Sequence, residues 1–348
     1  MSRHFPALRG IAILLVIINH SVTLGLQFAR NQEITVPPWQ KFILISIKEL
    51  GIFAVPLFLF LAASYFVYAA QGKNLKSMFR LIPNNLMYIA LPYLIWSLLY
   101  YLLEYVLFNK QQTIIGYAKS LIVGYPNNFV PLLFFFTLLA PFLIWISRKA
   151  AWLVFLLFLS YQSFLVVLLR PDIFGEIIPN WADIFALPII RLPIALWGIF
   201  YPLGILYGLN SEDFKKQIGK LSTFVFVITL LMFGLAVSTQ LGFISFPIIE
   251  IITPLFGLLG LLVINRDQIP FARFFERLGK RSYGLYLINL MIINILYFLL
   301  IAIGFKQILS FQILIVIVVG AITLFLPLLF MEGVEKKAGR LSYRVLFG

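Results

Sequence analysis

Residues 7–26 read ALRGIAILLVIINHSVTLGL, an apolar run that holds one arginine, Arg9, and one histidine, His20. A helix of this length crosses the ~30 Å hydrocarbon core of a bilayer at about 1.5 Å per residue. The eleven steps from Arg9 to His20 turn such a helix by roughly 1100°, which is three turns and about 20° more. Both side chains then share one face, about 16 Å apart along the axis. The arginine falls at one membrane interface and the histidine near mid-depth or beyond. Ionisable groups at that depth are costly and characteristically functional.

The rest of the chain has the same character. Its 348 residues are 62% hydrophobic and 11% charged, with a mean hydropathy of +1.00, whereas a soluble domain carries about 25% charged residues. Long apolar runs in lipid need helices to satisfy their backbone, and the short alternating segments of a membrane barrel are absent. The expected fold is an all-α integral membrane protein. Ten apolar segments can be drawn, at 6–28, 50–70, 81–107, 128–146, 150–169, 192–210, 221–240, 243–264, 282–303 and 308–331. Internal prolines such as Pro92, Pro141, Pro254 and Pro327 would kink these helices rather than end them. No second soluble domain and no fixed-period repeat is visible, so residues 1–348 read as a single transmembrane domain. The first run lacks a small-residue cleavage site and is expected to stay as a span.

Charge sets the expected orientation. The N-terminus, the connections at 73–80, 148–149, 215–220 and 266–281, and the tail at 336–344 hold nineteen of the 27 Lys and Arg residues. With ten spans these all lie on one side, and the positive-inside rule makes it the cytoplasmic one, both termini included. The net charge of +14 is thereby a topological signal and not a nucleic-acid footprint. The chain has no cysteine and two histidines, which excludes disulfides and thiol catalysis and argues against a metal centre. Glycine-rich phosphate loops are absent, so nucleotide hydrolysis and dinucleotide chemistry are not expected.

Leu8, Arg9, Gly10, Ile11, Ala12, Val16 and His20 resemble in register the first-span motif of acyltransferase family 3, a family of membrane O-acyltransferases. A second block, Leu278-Gly279-Lys280-Arg281-Ser282-Tyr283-Gly284-Leu285-Tyr286-Leu287-Ile288, is similar to that family's penultimate span. Val55 to Leu61 resembles its second span, and Phe134 to Leu139 a further segment. The departures are specific. Lys76 and Arg80 stand where two arginines are usual, so one bidentate fork is replaced by a point charge. Asn289 stands where histidine is frequent, replacing a titratable base by an amide. The second span reads Ala62-Ala63-Ser64-Tyr65 where Ser-Gly is usual.

The resemblance implies transfer of an acyl group, most often acetyl, from cytoplasmic acyl-CoA to a hydroxyl of a sugar, glycan or lipid-linked glycan precursor. Acetyl-CoA would be a co-substrate; no bound cofactor, metal or nucleic acid is expected. Membrane lipids are the surroundings, and a bacterial inner membrane the expected location. His20 would act as general base, with Arg9 binding a donor phosphate or steadying the oxyanion. Lys76 and Arg80 would hold the donor, and the cluster Arg266, Arg273, Arg277, Lys280 and Arg281 faces the same side. Ser282, Tyr286 and Asn289 form one polar stripe at i, i+4 and i+7. The stripe would line the cavity of His20 or hydrogen-bond between helices. Asn289 is assigned to the cavity and Ser282 to a helix–helix contact, with Glu250 as a further acid for the acceptor, and the partner of His20 is left open. A proton-coupled transporter or flippase using His20 as a relay is the rival reading, and a family member without catalysis a third.

Overall fold

The run that opens at Pro6 forms the helix α1 (Phe5–Asn31) in a computed structural model of the chain, which describes residues 4–348 except 176 and 247. A proline in the first turn removes no hydrogen bond, because the N–H it lacks would have no partner there. Arg30 in the last turn meets the negative end of the helix dipole. Next come α2 (Pro38–Glu49), α3 (Ala54–Ala69), α4 (Leu75–Phe79), α5 (Ile82–Phe108), α6 (Ile114–Val123) and α7 (Phe129–Leu169). They are followed by α8 (Pro171–Phe174), α9 (Arg191–Trp197), α10 (Phe200–Leu209), α11 (Ser211–Lys220) and α12 (Ser222–Gln240). The chain ends with α13 (Ile249–Val263), α14 (Ala272–Lys280), α15 (Ser282–Ala302) and α16 (Gln312–Phe347). Among the described residues there is no strand.

Seven stretches are long and apolar enough to cross a membrane: α1, residues 38–69, residues 75–108, α7, α12, α15 and α16. The pair α9 and α10, bent by 50°, makes an eighth if it is one span. The ten apolar runs reach this smaller number for local reasons. The runs at 128–146 and 150–169 are counted together in the 41-residue α7, which is two helices meeting at a kink at Ala150 (φ −149°, ψ 61°). The run at 192–210 is the bent pair, and the run at 243–264 yields the 15-residue α13, short of the ~20 residues a span needs. The orientation deduced from ten-span parity depends on that count.

The chain divides into two compact units. One comprises residues 2–54, 91–111 and 222–348, the other 55–90 and 112–221. In the first, α1 packs on α14, α15, α16 and α2. Its tightest contact is with α14. A Cβ on Gly10 would collide with the Phe275 carbonyl oxygen, and one on Gly279 with that of Pro6. Two backbones this close leave room for hydrogen only, the small-residue packing that helices use in lipid. Further along α1, the Tyr297 hydroxyl donates to the Ser21 carbonyl at 3.1 Å, and Gln312 Nε2 to the Gly25 carbonyl at 3.0 Å.

In the second unit, α7 packs against α9 and α10, with Phe136 and Tyr201 stacked at 4.7 Å. The bend between α9 and α10 frees backbone groups, and Gln162 takes them. Its Oε1 accepts from the Ile199 N–H at 2.8 Å, and its Nε2 donates to the Leu196 carbonyl at 3.4 Å. A broken helix is tolerated where a neighbour satisfies its backbone in this way. Arg148 donates to the carbonyls of Ala70 and Lys73, at 2.8 and 2.7 Å, and so closes the C-terminal end of α3.

Candidate active site

His20 is the sixteenth of the 27 residues of α1 and is half-buried. Its Nδ1 stands 2.6 Å from Asn289 Oδ1 on α15. Asn289 is fully buried, and its own surroundings fix which way its amide points. The Nδ2 group donates to the Tyr286 carbonyl and, at 3.3 Å, to that of Leu285. Carbonyls only accept, so the amide nitrogen must face them and the amide oxygen must face the ring. The bond is therefore an N–H of His20 donating to Asn289. In the neutral ring this places the proton on Nδ1 and the lone pair on Nε2. Among the described residues, Nε2 has no protein partner.

Arg9 sits eleven positions earlier on the same helix and is half-buried. Together with Arg281 and Glu335 it acts electrostatically on the Tyr343 hydroxyl, so the start of α1, the start of α15 and the end of α16 meet there. Arg281 pairs with Glu335 at 2.7 Å and with Glu332 at 3.8 Å, and Arg277 bonds to Glu332. Arg266 bonds to Glu276, whose carboxyl is held below the usual carboxylate range by that guanidinium. Three cations of the five-residue basic cluster are thus engaged by acids. The sequence shows these acids, but not that α16 brings two of them to α14 and α15.

The predicted stripe on α15 is observed, with its members in different states. Ser282 is fully buried, and its Oγ has no hydrogen-bond partner among the described residues. Tyr286 is buried and accepts from Asn289 through its carbonyl. Asn289 alone reaches His20. Lys76 and Arg80 belong to the other unit, exposed on and just after α4, whose first turn is capped by Asn74 accepting from Ser77 N–H. Glu250 accepts from Gln240 Nε2 at 2.6 Å, and Gln240 accepts from Lys48 Nζ at 3.4 Å.

That chain of contacts leads to a residue sequence reasoning missed. Glu49 is 1% exposed, and its Oε1 has no hydrogen-bond partner among the described residues, while Glu250 and Lys48 act on it electrostatically. It ends α2, and the 3-10 turn after it (Leu50–Phe53) packs on α1. There a Cβ on Gly51 would press on Asn19, and Asn19 Nδ2 donates to the Lys48 carbonyl at 3.2 Å. The second apolar run as drawn from sequence starts at 50, one residue too late to include it. A lone acid inside the longer apolar stretch 42–61 was the available signal.

A family model described as an acyltransferase domain, that of acyltransferase family 3, matches residues 5–332. No curated protein and no solved structure matches the chain. The family match runs from the first residue of α1 into α16. It takes in His20, Asn289 and both glycine-bearing surfaces of the α1–α14 contact. With nearly its whole length inside that match and several long apolar helices, this chain belongs to acyltransferase family 3 and is an integral membrane protein.

Proposed function

We propose that the protein is an O-acyltransferase that moves an acyl group, acetyl in the simplest case, from cytoplasmic acyl-CoA to a hydroxyl of a sugar, glycan or lipid-linked glycan precursor. The observation that carries this reading is the His20–Asn289 pair. Asn289 holds the neutral imidazole with its base nitrogen unoccupied, which is the state a general base needs. His20 Nε2 takes the proton of the acceptor hydroxyl as that oxygen attacks the thioester carbonyl. The new C–O bond forms, the C–S bond breaks, and the proton passes from the imidazolium to the departing thiolate. Asn289, accepting from Nδ1–H, stabilises the imidazolium in between, as an amide rather than a charge. Arg9 at the start of α1 serves the donor's phosphates or the developing oxyanion. Both termini are cytoplasmic in this reading, and the membrane is a bacterial inner membrane.

The test is acyl transfer from radiolabelled acetyl-CoA in membrane vesicles. His20→Ala is expected to lower the rate by about 10²–10⁴, the usual contribution of a positioned base. Asn289→Leu leaves the base present but unoriented, and its rate should fall between His20→Ala and wild type. A His20→Ala protein that inserts normally and transfers at the wild-type rate rules out the base assignment.

A further inference from the structure

Where α1 ends and α2 begins, at the end of α1 remote from Arg9, a cavity of about 410 Å³ opens. Arg30, Glu33 and Lys41 line it, and Leu26, Ile34 and Ile45 give it an apolar wall. Among the described residues, none of the three charged side chains has an ion pair or a side-chain hydrogen bond. They differ in this from the cations of the Arg277–Arg281 region, which acids engage. The walls are firmly built. Gln40 Nε2 donates to the Ser310 carbonyl at 3.1 Å and its Oε1 accepts from the Ile313 N–H at 3.2 Å, tying α2 to the start of α16. Val36 and Ala29 lie in the buried core beneath.

The depth of the cavity follows from its neighbours. Trp39 is 61% exposed in the first turn of α2, with Phe42, Ile43 and Ile47 exposed after it. A tryptophan followed by an outward apolar face marks the headgroup level of a bilayer and the lipid beneath it. Two unpaired cations over an apolar wall at that level suit an anionic headgroup whose chain continues into lipid. Arg30 offers the planar fork that grips phosphate oxygens in pairs, and Lys41 a second charge. Glu33 reduces the net charge to one positive.

We propose that this cavity binds the phosphate of a phosphate-bearing amphiphile, its phosphoryl group between Arg30 and Lys41 and its chain along the Leu26–Ile45 wall. Resting on the acyl-transfer reading, this makes the acceptor a lipid-linked phosphate ester. The binding itself does not depend on catalysis.

The purified full-length protein in neutral detergent is titrated with dodecyl phosphate and, separately, with inorganic phosphate. The Arg30→Ala/Lys41→Ala double variant is expected to raise Kd at least tenfold, and Glu33→Gln to lower it several-fold by removing a repulsive charge. His20→Ala should bind as wild type does, which separates failure of this site from failure of the proposed chemistry. Tighter binding of dodecyl phosphate than of inorganic phosphate identifies a lipid source, and equal binding a free phosphate ligand. No binding of either probe, or a Kd that the double variant and Glu33→Gln leave unchanged, overturns the proposal.

Discussion

The two ends of α1 are held by different chemistry. At the Arg9 end, main chain meets main chain: Gly10 lies against the Phe275 carbonyl and Gly279 against that of Pro6, with no side chain between them. At the far end, side chains reach across. Tyr297 and Gln312 bond to the carbonyls of Ser21 and Gly25, Phe28 stacks on Tyr297 at 5.2 Å, and Gln40 ties α2 to α16. Contact between backbones has no slack, because nothing in it can rotate. Side-chain bonds can be rearranged, and each is worth little alone. The first end therefore fixes where α1 lies relative to α14 and α15, and with it the meeting of His20 and Asn289. The second end leaves space, which the cavity beside Arg30 occupies.

Breaking the first end should have the largest effect. Gly279→Val places a branched three-carbon side chain where the Pro6 carbonyl already lies. Neither helix can yield without moving the other, so the cost should exceed about 4 kcal/mol, the range reached only by the worst core substitutions. The expected outcome is loss of folded protein from the membrane fraction, read by size-exclusion chromatography after solubilisation. A Gly279→Val protein recovered at the wild-type level, with an unshifted melting temperature, would mean that α14 is not anchored on α1.

That contact also shows what the sequence could and could not reveal. Leu8-Arg9-Gly10 and Leu278-Gly279-Lys280 stood out as two separate motifs, and their glycines turn out to serve one interface. Periodicity located α1, α15 and most of the apolar helices, because the signal is local. It could not show that Asn289 faces α1, since a polar stripe marks a face of a helix and not its neighbour. His20 was legible as a lone ionisable group in an apolar run, and its partner was not. The acids opposite Arg277 and Arg281 lie 55 and 54 residues away, beyond any local pattern. Glu49 was hidden by its place at a junction, where α2 ends and a 3-10 turn begins. The two runs at 128–146 and 150–169 meet at Ala150, where helical geometry breaks, so the sequence boundary and the structural kink coincide there.

The far end should give under smaller changes without collapsing. Tyr297→Phe removes the hydroxyl that donates to the Ser21 carbonyl but keeps the ring stacked on Phe28. The carbonyl lies within α1, so it retains a helical partner, and the loss should be about 1 kcal/mol, that of an ordinary hydrogen bond. Thermal unfolding in detergent should register a modest fall in melting temperature with transfer activity retained. A loss as large as that of Gly279→Val would erase the distinction between the two ends.

The smallest effect concerns the Arg266–Glu276 pair at the edge of the α14 anchor, outside the spans. The Arg266 guanidinium holds the Glu276 carboxyl below its ordinary value, so the folded state binds the proton less readily than the unfolded one. The pair's contribution is then fully present above the ordinary carboxylate value of about 4.3 and disappears as the pH falls through the depressed folded value. Exposure to solvent and salt keeps it small. Glu276→Gln should therefore melt slightly below wild type at pH 7 in low salt, and the two curves should converge under acid. Added salt should narrow the gap at pH 7 as well. If the gap instead persists unchanged at low pH and high salt, Glu276 supports α14 through packing and not through its charge. The Arg266–Glu276 pair would then add no electrostatic share to what the Gly10 and Gly279 backbone contact and the Arg277–Glu332 and Arg281–Glu335 pairs hold at that end of α1.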